Sequence, residues 1–254
     1  MLTAVAFAVL LTPDQGPIGN RKLVWSDEFS GKGLPDQQKW GYEKGFIRNH
    51  EKQLYTDKLR NAYKEDGNLV ISAINDNGEV SSAALESNQS WLYGYFEIRA
   101  KIPTGKGTWP AIWFLGQGIR QKGTEYIGWP KCGEIDLMEN VGFNPATIYF
   151  TVHTADDGGS GHASKGEHVD TPGASSDFHV YGLDWRPGSM DFYFDGKKVM
   201  TYSKSPQNRN SWPFDKPEFL ILNLAIGGDW GGQQGIDDSI FPATFLVDYV
   251  RVYQ

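Results

Sequence analysis

Short runs in which apolar and polar residues alternate recur along the chain, separated by segments rich in glycine, proline and asparagine. The pattern is cleanest over 93–102. There Phe96, Ile98, Ala100 and Ile102 form an apolar face, and Tyr95, Glu97, Arg99 and Lys101 a polar one. Over 147–154, Ile148, Phe150 and Val152 point one way, and Tyr149, Thr151 and His153 the other. Leu220, Leu222, Leu224 and Ile226 face away from Asn223, and 68–74 and 245–253 are further strand-like runs. A period of two belongs to a half-buried strand, because successive side chains leave opposite faces. No long stretch carries the helical period, and no short repeat recurs. The pattern predicts an all-β fold, a sandwich of two antiparallel sheets. Faces bearing aromatic and charged groups together predict a concave cleft. The glycine-rich segments 117–131 and 156–176 read as long loops beside it.

One run breaks the alternation. In Gly133-Glu134-Ile135-Asp136-Leu137-Met138-Glu139-Asn140, a flat strand places Glu134 and Asp136 on one face and Glu139 on the other. One extra residue, a β-bulge near Leu137-Met138, returns Glu139 to the shared face, and bulges are enriched beside active sites. Three carboxylates so close repel one another and cost stability. Across the bulge, Glu134 and Glu139 are four strand steps apart, about 13 Å at about 3.3 Å per residue. Two Glu side chains leaning together close that to about 5 to 6 Å, near the roughly 5 to 5.5 Å of retaining glycosidases. A solvated acidic face or a cation site is the competing reading of the three acids alone.

Composition narrows the function. Aromatic residues make up 14% of the 254, including 9 Trp and 12 Tyr, which suits stacking on sugars. The formal net charge is −7 with no basic run, so a nucleic-acid partner is not expected and strongly sulfated polyanions are disfavoured. The single cysteine, Cys132, excludes an internal disulfide and reads as a small packed residue. His162 and His168 lack a third ligand at metal-binding spacing, so no zinc site is expected. Residues 1–12 are almost wholly apolar, too short to span a bilayer. They resemble the apolar part of a secretory leader without its basic start, the first basic residue being Arg21. Residues 1–20 are therefore read as leader and linker, 21–254 as one catalytic domain, and the protein as secreted, not membrane-bound, and monomeric.

The segment Glu134-Ile135-Asp136-Leu137-Met138-Glu139 resembles the signature of glycoside hydrolase family 16, in the bulged form of its laminarinase-like members. The resemblance runs through most of the chain. It takes in Trp25-Ser26-Asp27-Glu28-Phe29, Asn49-His50-Glu51-Lys52-Gln53-Leu54-Tyr55-Thr56, Tyr93 to Lys101, Trp109 to Gly116, Asp177 to Tyr181, Leu222 to Gly228 and Val247 to Tyr253. It implies a concanavalin-like jelly roll that hydrolyses β-1,3-glucan within the chain, with retention. It further implies Glu134 as nucleophile, Glu139 as general acid/base and Asp136 between them tuning their protonation. By the same resemblance His153 is a cleft histidine. Trp109 and Trp113 share parity on their strand, so both can face the cleft and stack on sugar, a place in the core being the competing reading for either one. Asn49, Glu51, Arg99, Asn223 and Trp230 are further substrate-binding candidates. No cofactor is implied for the chemistry. A structural calcium is implied at Glu28, Gly67 and Asp248, where hard oxygen ligands suit that ion.

The stretch Gly228-Asp229-Trp230-Gly231-Gly232-Gln233-Gln234 departs from the Asn-Trp-Pro-Gly pattern usual after the paired glycines. This leaves mixed-linkage β-1,3-1,4-glucan open as substrate. An agarase also fits the motif, whereas the bulge disfavours a xyloglucan transglycosylase and the acidic charge a carrageenase. A non-catalytic carbohydrate-binding protein fits the sandwich and the tryptophans but has no need of the paired Glu residues.

Overall fold

The alternating runs fold as strands. The structure, a computed structural model, describes residues 17–156, 161–206 and 212–254. The apolar stretch 1–12, and the leader as far as residue 16, lie outside the described residues.

In chain order the strands are β1 (Leu23–Asp27), β2 (Trp40–Tyr42), β3 (Leu54–Tyr55), β4 (Ala62–Glu65), β5 (Asn68–Asp76) and β6 (Glu79–Ser82). Then come β7 (Ala84–Trp91), β8 (Gly94–Lys101), β9 (Thr108–Gly116), β10 (Glu134–Glu139), β11 (Thr147–Ala155) and β12 (His162–Asp170). The last are β13 (His179–Arg186), β14 (Ser189–Phe194), β15 (Lys197–Ser203), β16 (Glu218–Ile226) and β17 (Ala243–Tyr253). One sheet runs β12-β11-β10-β9-β16-β7-β2. The other runs β15-β14-β13-β8-β17-β5-β6-β3, with β1 on β17 and β4 on β5. All the pairings are antiparallel except that of β3 with β6.

The core lies between the sheets and is built from the predicted apolar faces. Phe96, Ile98 and Ala100 of β8 meet Ile148, Phe150 and Val152 of β11 and Leu220, Leu222, Leu224 and Ile226 of β16 in one buried cluster. Two strands keep an apolar face inward only by shifting register. In β17 the shift falls between Val247 and Tyr249, so Phe245 and Val247 point inward before it, and Val250 and Val252 after it. In β10 it falls after Asp136, and the adjacent Leu137 and Met138 both enter the core. That is the bulge expected from the acid spacing.

Two expectations change. The segment 156–176 is not simply a loop, because 162–170 pair with β11 as β12. An edge strand with no buried face needs no alternation, and β12 is exposed over almost its whole length. On β8, Tyr95 belongs to the expected polar face yet is 2% exposed. Tyr253 of the adjacent β17 and Tyr193 of β14, one strand beyond β13, pack against its ring. No helix among the described residues is long and apolar enough to cross a membrane.

Candidate active site

β10 lies between β9 and β11, and its outward face carries the acids. In the ladders, Glu134 stands opposite His153 and Leu115, Asp136 opposite Thr151 and Trp113, and Glu139 opposite Tyr149 and Ala111. The bulge thus brings Glu134, Asp136 and Glu139 to one face, together with His153. Nε2 of His153 lies 3.1 Å from Oδ2 of Asp136 and 4.0 Å from Oε1 of Glu134. The other ring nitrogen shares a 2.7 Å hydrogen bond with Nε2 of His162.

Each of the two Glu residues has its own indole donor. Nε1 of Trp109 donates to Oε1 of Glu139 at 2.9 Å. Nε1 of Trp129 donates to Oε2 of Glu134 at 2.8 Å. Trp109 packs edge-on against Trp230, which packs edge-on against Tyr149, so three aromatic rings border the Glu139 end. Trp129 leans on His162 with ring centroids 4.7 Å apart at the Glu134 end. Beyond that end, the segment 117–133 folds over the sheet. Its Cys132 joins Ala111, Trp113, Leu115, Phe219 and Ile221 in a second buried cluster, and its Ile119 and Ile127 pack against that cluster. Burial pushes the Cys132 thiol up to about 12, as befits a packed residue. The chain passes into β10 at Gly133, whose φ is +85°. A Cβ there would lie 2.6 Å from Pro213 and 3.0 Å from a Glu218 oxygen, so a larger residue is excluded twice over.

The acids cannot all ionise. Burial, then the charge of Glu139, holds Asp136 well above the usual carboxylate range, against a hydrogen bond with Glu134. Burial pushes Glu134 up to about 8; the Asp136 charge adds to this, while His153, the Trp129 hydrogen bond and Arg48 oppose it. Burial pushes Glu139 up to about 7, the Trp109 hydrogen bond opposing and the Glu134 charge adding. That order is the reverse of what a Glu134 nucleophile needs. A proton on Asp136 takes away its charge, one of the causes that raise Glu134, and leaves the larger one, burial. His153, the Trp129 hydrogen bond and Arg48 favour the Glu134 carboxylate.

The remaining candidates separate. Trp230 lines the Glu139 end, and exposed Asn49 accepts a 2.8 Å hydrogen bond from the Asp229 amide beside it. Trp113 is on the expected face but is 7% exposed. Asn223 takes its indole N–H at 2.7 Å, and the Arg48 guanidinium lies over its ring at 5.0 Å. Its ring is therefore no sugar platform. Buried Asn223 holds Trp113 and Tyr55, and buried Glu51 accepts from Gln53 at 2.6 Å, so both act within the framework under the site. Arg99 is not in the site. Its parity on β8 sends it out of the other sheet, where it pairs with Asp248 and covers Phe178. The residues missed by sequence reasoning are Trp129, Arg48, His162 and Tyr149. Trp129 had a visible signal, an aromatic in the loop leading into the acids. Arg48 had none, because its partner ring is 65 positions away.

Glu28 follows β1 and Gly67 precedes β5, the two strands that flank β17 near Asp248. Both carboxylate oxygens of Glu28, however, receive hydrogen bonds from Arg251 at 3.0 and 2.8 Å, and Arg99 pairs with Asp248. As arranged, these are two ion pairs and not a free oxygen cage. Among the described residues, the group of His, Asp and Glu ligand atoms close enough to share an ion is that of Glu134, Asp136 and His153, within 4.8 Å of one another. It coincides with the acid cluster itself.

The model of the glycosyl hydrolases family 16 matches residues 37–251. A beta-glucanase from Rhodothermus marinus is 45% identical over 250 residues, covering 92% of this chain and 85% of that one. A glucan endo-1,3-beta-glucosidase from Cryptopygus antarcticus is 39% identical, covering 98% of each. The X-ray structure of the laminarinase from Rhodothermus marinus matches with a TM-score of 0.82 at 43% identity, over 92% of this chain and 97% of the other.

Proposed function

The chain belongs to glycosyl hydrolase family 16, and from that footing we propose that it hydrolyses internal β-1,3 linkages of laminarin-type glucan with retention of anomeric configuration. The observation that carries this reading is the bulged strand, which sets Glu134, Asp136 and Glu139 on one face with an indole N–H on each Glu.

The chemistry runs in two displacements. Glu139 gives its proton to the glycosidic oxygen as the Glu134 carboxylate attacks the anomeric carbon, releasing the leaving sugar and forming a glycosyl ester on Glu134. That ester removes the negative charge of Glu134, so Glu139, now a carboxylate, takes a proton from water. The water oxygen bonds to the anomeric carbon and Glu134 leaves as carboxylate. Asp136 lies between the pair and tunes their protonation, and the tryptophans and Tyr149 at the Glu139 end offer flat apolar edges to the sugar rings.

Proton NMR of the first products from laminarin tests the reading. Oligosaccharides released first as the β-anomer support it. Release as the α-anomer removes retention, and cleavage of mixed-linkage glucan or agarose in place of laminarin redirects the substrate. The apolar start of the chain fits export to where such polysaccharides occur, and activity confined to the cell interior argues against it. The reading treats the protein as a monomer, which its sedimentation checks. A structural calcium at Glu28, Gly67 and Asp248 has to displace Arg251 and Arg99. A melting temperature that rises when calcium is returned to chelated protein reveals it, and an unmoved one removes it.

A further inference from the structure

We propose that Arg48 is a sugar-contacting, specificity-determining residue that replaces aromatic stacking at the Trp113 position of the cleft; the proposal rests on the glucanase reading above. Trp113 stands directly opposite Asp136 in the β9–β10 ladder, so whatever covers its ring lies on the floor of the site beside the acids. What covers it is the Arg48 guanidinium, 5.0 Å from the ring centroid. A guanidinium stacks on an indole face through both its charge and its planarity, and it then presents its N–H edge outward.

The arginine is held and not free to swing. Its Nη2 pairs with Glu43, whose side chain is 13% exposed, and the Arg48 side chain keeps 22% of its surface open. The loop behind it is pinned to the end of β16 and the turn that follows. Asn49 and His50 take left-handed φ of 55° and 51°, the Asp229 amide donates to the Asn49 carbonyl at 2.8 Å, and Glu51 bridges Gly227. Gly228 makes this possible, since a Cβ there would lie 2.9 Å from the same carbonyl oxygen. A pre-placed donor loses little entropy when substrate binds.

The chemistry of the ligand follows. Arginine has five N–H donors and no acceptor, and Glu43 engages one end of the fork. The pair is close to neutral overall, which suits hydroxyl and ring oxygens of an uncharged glucose unit better than a sulfate or carboxylate. A sugar unit at this position is then selected by where its oxygens point. Stacking on Trp113 would tolerate any flat C–H face.

The test is the kinetics of Arg48→Lys on laminarin. Lysine keeps the charge and loses the planar fork. KM is expected to rise about tenfold or more while kcat falls far less, with the melting temperature held. A wild-type KM overturns the proposal. So does a KM that falls in Arg48→Ala, since uncovered Trp113 would then bind sugar better than the guanidinium does. Should the single variants misfold around buried Glu43, the Glu43→Gln/Arg48→Gln pair removes both charges together. The same rise in KM is expected there, and a wild-type KM again overturns the proposal. Wild-type protein that cleaves no β-glucan fails the functional reading itself. A wild type that cleaves laminarin beside unaffected Arg48 variants fails this inference alone.

Discussion

Trp129 donates its indole N–H to Oε2 of Glu134 at 2.8 Å from only five positions upstream. The loop that leads into β10 therefore folds its own aromatic residue back over the acid that opens the strand. A hydrogen bond to an ionised carboxylate contributes about 1.5–3 kcal/mol. Phenylalanine keeps a ring and removes the donor. Trp129→Phe is expected to lower kcat/KM on laminarin about ten- to hundredfold. It should also move the acid limb of the pH profile upward, because Glu134 without its donor holds a proton more tightly. An acid limb that stays in place would show that the bond is not made to the nucleophile during turnover.

Glu134→Ala tests the nucleophile directly. The variant should fold normally and turn over no substrate, and added azide should restore cleavage by entering the space of the missing carboxylate. The product is then a glycosyl azide of inverted configuration, since only one displacement remains. Appreciable turnover of laminarin by Glu134→Ala without azide would remove it from that role.

Glu139 is pushed up to about 7, so the donor form is lost as pH rises through that value. The wild-type kcat/KM should decline on the alkaline side accordingly. Glu139→Gln carries no titrating proton and should lose that limb. General acid catalysis contributes about 10²–10⁴-fold, so laminarin turnover should drop by that much. An activated aryl glycoside, which needs little help to leave, should suffer far less in its glycosylation step. Equal loss on both substrates would argue that Glu139 does not protonate the leaving group.

The acid strand was legible because two constraints meet in it. The spacing of Glu134, Asp136 and Glu139 is compatible with one face only through a bulge, and the structure spends that bulge on burying Leu137 and Met138 together. Faces with one buried side, as in β8, β11 and β16, were legible for the same reason, since water sorts their residues. β12 was not, because an exposed edge strand has no buried face to write a pattern. Parity also cannot say which sheet a polar face belongs to, so the alternation around Arg99 carries no sign that it faces out of the other sheet, away from the acids. Nor can it say what lies on top of a residue. Trp113 has the parity of Trp109, and only the long-range placement of Arg48 distinguishes a covered ring from an open one.

Glu218 carries a cost that the reaction does not require. It shares the inward parity of Leu220 and Leu222 on β16, is 1% exposed, and neither carboxyl oxygen has a hydrogen-bond partner among the described residues. Burial, then the charges of Glu134 and Asp136, holds its carboxyl well above the ordinary range. A folded-state value above the unfolded one, about 4.3 for Glu, fixes the sign. The protonated group costs least below about pH 4, and stability is lost as pH rises toward and through the raised value. Methionine is unbranched, close in size and without a polar atom to leave unpaired. Glu218→Met should therefore raise stability by about 1–3 kcal/mol, the usual cost of burying an unpartnered polar group. In a chain of this length that is several degrees in Tm. The gain should be larger at pH 8 than at pH 5, because only the wild type pays for ionisation as pH rises. Glu134, Asp136 and Glu139 act with the same sign in both proteins, and removing the Glu218 charge can only relieve the repulsion on its neighbours Glu134 and Asp136. Melting curves at the two pH values decide the matter: a gain that is equal at both, or a loss at pH 8, would show that Glu218 is paired in solution.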